Sequence, residues 1–187
     1  YTFLVGNHEN SYLGFPCSGH QYVLDDIMER ILTENIELFD LYTSVSIDNK
    51  EFICTHSGIC NDFVTNQLIT NEKSWKQALI DMNNNKLQSL SILNICSYLR
   101  GGSNEYSSFI WTDKREHLYN NMVKPPIIPY QIMGHTPVKE ITYDKDDLHT
   151  FIFIDTHSTY RDGSEYGNKS YLIWNENQFK QVLHKEL

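Results

Sequence analysis

The hydrophobic pattern begins at the first residues. Tyr1-Thr2-Phe3-Leu4-Val5 reads as a buried strand running into Gly6. A buried strand needs a neighbour on each side, so residues 2–5 are expected inside a sheet. The chain opens without Met, and its domain is expected to continue N-terminal to Tyr1. Gly, Asn, Ser and Pro then mark a loop from Gly6 to Gly19. Over residues 22–40, Val23, Ile27, Ile31, Ile36 and Phe39 recur at near-helical spacing with acids opposite them. Short strands follow at 42–48 and 51–55, with hairpin chemistry at Asp48-Asn49-Lys50.

Helical patterns return at 72–82 and 86–99, parted by Asn83-Asn84-Asn85 and closed by Gly101-Gly102. Pro125, Pro126 and Pro129 mark an extended connection. Beyond it, strands are expected at 130–134, 139–143, 150–155, 170–174 and 178–183. With no repeat, no low-complexity tract and no break, the order predicts one α/β or α+β domain with more than one sheet.

Length and charge narrow this. A chain of 187 residues buries roughly 70% of its unfolded surface, so a disulfide or metal is not required to hold it together. Runs such as Phe151-Ile152-Phe153-Ile154 are far short of the roughly 20 residues that span a bilayer, so no membrane partner is expected. Fifteen basic residues against 24 acidic give −9, without a Lys/Arg block, so nucleic acid is not an expected partner. The cysteines (Cys17, Cys54, Cys60, Cys96) form no CxxC pair. Cys54 and Cys96 read as buried thiols in a reducing compartment, which predicts a cytoplasmic protein.

Three stretches share one design, a hydrophobic strand followed at once by His or Asn among small residues. They are Phe3-Leu4-Val5-Gly6-Asn7-His8-Glu9, Phe52-Ile53-Cys54-Thr55-His56-Ser57-Gly58 and Ile132-Met133-Gly134-His135-Thr136-Pro137. Ligands of open α/β sheets sit beyond the carboxyl ends of strands, so these positions are expected to converge. Two imidazoles and an amide oxygen suit a borderline cation such as Mn, Fe or Zn.

Gly6-Asn7-His8-Glu9, Thr55-His56-Ser57-Gly58 and Gly134-His135-Thr136-Pro137 together resemble the later motifs of calcineurin-like metallophosphoesterases. The closer likeness is to the bacterial and phage-type serine/threonine phosphatases. Phe109-Ile110-Trp111 is similar to that branch's apolar-Trp segment, and Ile154-Asp155-Thr156 to its late Ile-Asp-Thr strand. The resemblance spans nearly the whole chain and implies a four-layer αββα sandwich. Residues 1–187 would be the C-terminal major part of a single metallophosphoesterase domain, N-terminally incomplete.

The resemblance further implies that Asn7, His56 and His135 bind one metal and that His8 is the general acid. A hydroxide bridging two divalent cations would attack phosphorus. The motifs that supply the other ligands, Gly-Asp-x-His and Gly-Asp-x-x-Asp-Arg-Gly, do not occur in this chain. At most one partial metal site is therefore expected. A phosphate-binding arginine is implied soon after the Trp, and Arg115, four residues on, is either that arginine or a solvated charge. His157 stands where the branch has Gly, and either lines the site or lies on the surface. Arg100, before Gly101-Gly102, reads as a helix C-terminal charge interacting with the dipole. The substrate implied is a phosphomonoester, phosphoserine or phosphothreonine in a protein. A symmetrical dinucleoside tetraphosphate hydrolase, or a non-catalytic relic used as a binding module, are the alternatives.

Overall fold

A computed structural model describes residues 2–17, 20–69, 73–160, 162–175 and 178–184, with residues 120–123 described by backbone alone. The chain is mixed α/β. Strand β1 (Phe3–Leu4) runs into helix α1 (Asn7–Tyr12), and a turn leads to α2 (Asp25–Glu34). Strand β2 (Phe39–Asp40) precedes the hairpin of β3 (Thr43–Ile47) and β4 (Lys50–Thr55). The helical stretch α3 (Asn61–Phe63) continues as a wider π turn over Val64–Leu68. Next come α4 (Trp75–Asn84), α5 (Lys86–Leu93) and α6 (Lys114–Val123). The remainder is strand: β5 (Tyr130–Met133), β6 (Thr142–Lys145), β7 (Thr150–Phe153), β8 (Ser158–Thr159), β9 (Glu165–Tyr166), β10 (Ser170–Asn175) and β11 (Gln178–Leu183).

The central sheet has the order β3-β4-β5-β7-β6. Its middle strands β4, β5 and β7 are parallel, and β3 and β6 run antiparallel at the edges. Burial on both faces explains the near-continuous apolar run of β7, in which all four residues are buried. On one face Ile53 joins Phe63, Leu68, Leu79, Leu90, Leu93, Phe109 and Ile110 under the helices. On the other face Phe52 and Ile152 pack with Leu172, Trp174 and Phe179 of the β10–β11 hairpin. Helices, sheet and hairpin thus form successive layers, with Met133, Phe151 and Phe153 in a third apolar cluster. Among the described residues, no helix is long and apolar enough to cross a membrane.

Most expected strands are present, and the β3–β4 turn places Asp48 and Asn49 at φ 50° and 60°, as a tight hairpin turn requires. Several expectations need correction. Among the described residues β1 pairs with β2 alone, Phe3 is 56% exposed, and only Val5 of that run is in the core. Residues 7–12 are helix rather than loop, because the Glu9 carboxylate accepts from Gly6 N at 2.9 Å and caps the first turn. The pattern over 22–40 is a ten-residue helix between two 3₁₀ turns, with Val23 94% exposed and Leu32 the buried residue of α2.

The expected 86–99 helix stops at Leu93, and a separate turn Tyr98–Arg100 ends at Gly101 with φ 80°. The helix expected over 72–82 begins at Trp75, its first position lying outside the described residues. The strand expected at 139–143 is displaced to Thr142–Lys145. Helix α6 was not expected, although Asp113 and Glu116 cap its start: Arg115 N donates to Asp113 Oδ1 and Asp113 N to Glu116 Oε1. Cys54 and Cys96 are half-buried, and the fully buried thiol is Cys60, which burial pushes up to about 12.

Candidate functional site

Parallel pairing of β4 with β5 brings two distant motifs to one sheet edge. Thr55 lies opposite Met133, so the residues that follow each, His56 and Gly134-His135, leave the sheet together. Gly134 N donates to His56 O at 2.9 Å and fixes this register beyond the last strand residues. His135 holds φ 64°, a left-handed conformation that costs a non-glycine residue about 1–3 kcal/mol. Asn7, on the first turn of α1, approaches from the β1 side. Gly6 permits this approach, since a Cβ there would lie 2.7 Å from His56 Cε1.

Three donor atoms meet. His56 Nε2 lies 2.9 Å from Asn7 Oδ1 and 3.1 Å from His135 Nδ1. Both imidazoles are neutral. Burial, reinforced by the charges of His8 and Arg100, lowers His56 to about 4. Burial and the neighbouring His56 and Arg100 lower His135 to about 2. A neutral His56 has at most one proton on Nε2 and cannot donate to both neighbours. A divalent cation at the meeting point would take lone pairs from all three atoms, so this donor set fits one ion. It is a donor set without a carboxylate: among the described residues no three His, Cys, Asp or Glu side chains group to hold a metal.

These residues open onto a cavity of about 740 Å³. Asn7, His8, His56, His135, Arg100 and Asp155 supply its polar wall, and Trp111, Pro137, Ile154 and Tyr160 its apolar wall. The Trp111 ring meets His135 edge-on at 5.9 Å. His8 is exposed at the cavity wall, next to Asn7 in sequence.

Arg115 takes the solvated alternative, its side chain 57% exposed. Arg115 is turned to Asp113, with Nε 2.9 Å from Oδ1 and Nη2 3.1 Å from Oδ2, and does not line the cavity. Arg100 lines it instead. Its Nε is 2.9 Å from Asp113 Oδ2, and its Nη2 donates to Thr136 Oγ1 at 2.7 Å. Burial acts to raise the Asp113 pKa, but hydrogen bonds from Arg115 and the charges of both arginines outweigh it and hold the carboxyl below its usual range. Asp113 is therefore a fixed anion that aims Arg100. His157 is exposed, 3.3 Å from Glu165 Oε1, and lies outside this cavity. Arg100, Asp155 and Tyr160 were missed as site residues. The Gly101-Gly102 stop after Arg100 and the Ile-Asp-Thr stretch around Asp155 were the available signals.

Compared with models of known protein families and with curated proteins, the chain matches none.

Proposed function

We propose that this chain is the metal- and phosphate-binding part of a phosphoesterase that cleaves phosphomonoesters, phosphoserine or phosphothreonine first among them. One observation carries the reading: His56 Nε2 lies 2.9 Å from Asn7 Oδ1 and 3.1 Å from His135 Nδ1, in a cavity that Arg100 also lines. Asn7, His56 and His135 would hold a divalent ion, which when bound would supply Lewis-acid polarisation of a phosphoester oxygen. Arg100, clamped by Asp113 and Thr136, has N–H groups to spare for the phosphate oxygens. His8, on the cavity wall next to Asn7, stands where a general acid would serve the departing alkoxide. Trp111 and Ile154 present apolar surface that keeps water from the bound ester. The helix layer, the five-stranded sheet and the β10–β11 hairpin support a four-layer αββα sandwich as the parent fold.

Titration calorimetry with MnCl2, followed by inorganic phosphate, tests the reading. One weak site is expected, because three neutral donors offset poorly the dehydration of a dication. Asn7→Ala, His56→Ala and His135→Ala should each weaken it at least tenfold, and Arg100→Ala should weaken phosphate without displacing the metal. No metal binding, or binding indifferent to all three donors, would overturn the proposal. With this donor set the chain should show no chelator-sensitive turnover of p-nitrophenyl phosphate, and robust turnover would refute the account of the site.

A further inference from the structure

The cavity contains one charge that phosphate binding does not use. Asp155 follows β7 at the cavity wall, and both its oxygens accept from the single hydroxyl of Ser158, at 2.9 and 3.1 Å. One hydroxyl proton serves only one of them at a time. Among the described residues, no Lys, Arg or His pairs with this carboxylate. Nor does it join His56 and His135 as a third metal ligand. Arg100 differs in this respect, since Asp113 already balances it.

A site that takes a phosphate dianion yet keeps an unbalanced carboxylate on its wall holds bare phosphate less tightly than an ester that brings its own cation. The surface around Asp155 suits the stem of such a cation. Pro137, Ile154 and the half-exposed Tyr160 line the same cavity and offer apolar contact for a chain of methylenes.

We infer that Asp155 determines specificity by pairing with a basic residue of the substrate, so that the site selects phosphoserine or phosphothreonine peptides with Lys or Arg beside the phosphorylated residue. This rests on the phosphoester reading above. The net charge of −9 attracts any basic peptide, so the test must separate the site from the general field.

Fluorescence anisotropy in excess MnCl2 would compare two labelled phosphoserine peptides, identical except for Lys or norleucine beside the phosphoserine. The wild-type chain should bind the Lys peptide about tenfold more tightly. Asp155→Asn should reduce that ratio to within twofold, whereas Asp155→Glu, which restores the charge, should keep most of it. Glu29→Gln removes an equal charge from an exposed position of α2 and should leave the ratio unchanged. Circular dichroism of each variant would confirm the fold. A wild-type ratio near one, a tenfold ratio surviving in Asp155→Asn, or an equal fall in Glu29→Gln would each overturn the inference. If neither phosphopeptide binds, the phosphoester reading falls and this inference falls with it.

Discussion

His117 shows how one buried side chain can tie the stability of the chain to acid. It sits on α6 between Phe151 and Phe153, ring to ring at 5.3 and 6.3 Å, and its Nε2 donates to Ser57 O at 3.2 Å. Gly58, at φ 84°, lies against the ring, and a Cβ there would collide with His117 Nε2 and Met133 Sδ. Burial lowers His117 to about 4, against opposing pulls from the Ser57 carbonyl, Asp113 and Asp144. A histidine whose folded pKa lies below its unfolded value binds fewer protons when folded, so its contribution is full above about 6.5 and lost as pH falls toward 4. That displacement corresponds to roughly 3 kcal/mol. Urea unfolding at pH 7.5, 5.5 and 4.5 should show wild type losing stability steeply and His117→Gln losing about that much less. Equal slopes would exclude His117 as the titrating group, since His56 and His135 remain in both proteins.

Elements here are locked by single polar side chains rather than by apolar area alone. Glu116, on the first turn of α6, accepts from Ser97 Oγ at 2.6 Å, Ser107 Oγ at 2.8 Å, Ser107 N at 3.0 Å and Asp113 N at 3.2 Å. These bonds tie the 97–107 segment, and with it the turn that holds Arg100, to the helix. Glu116→Gln puts an amide N–H against one of those donors and should cost about 2 kcal/mol, roughly 4–8 °C in melting temperature. Phosphate affinity should fall with it, because Arg100 loses its footing. A variant that melts with wild type would show that the network is slack.

What the sequence revealed divides along the same line. The β3–β4 hairpin was legible because Asp48-Asn49 states its own turn, and β5, β7 and β10 because β-branched and aromatic runs need no partner to be recognised. Helix α1 was obscured by Asn and Ser, weak formers held by one cap. On α2 the helical period was visible, but the burial of its apolar side was not, since that depends on what packs there. Asn7, His56 and His135 were readable as strand-end residues. The choice of Arg100 over Arg115 was not, because Asp113 binds both arginines and only the path of the chain decides which one reaches the cavity.

At the scale of the whole molecule, the parallel centre of the sheet gives the site a place in time. Ile53 pairs with Gln131 and Ile132 with Ile152, so the imidazoles of His56 and His135 meet across 79 residues of chain. Such non-local pairings are entropically late and set refolding on a scale of milliseconds to seconds. Helices α4 and α5, built on local contacts, have no such wait. The donor set therefore does not exist until β4 and β5 have closed, and any ion it captures reports that closure. In stopped-flow refolding of a Trp75→Phe, Trp174→Phe chain with Co²⁺, which leaves Trp111 as its one tryptophan, the visible absorbance of the bound ion should lag the far-ultraviolet helix signal and share the slowest phase of Trp111 fluorescence. If colour develops with the helices, the ion is nucleating the sheet instead, and the order of events in this fold is reversed.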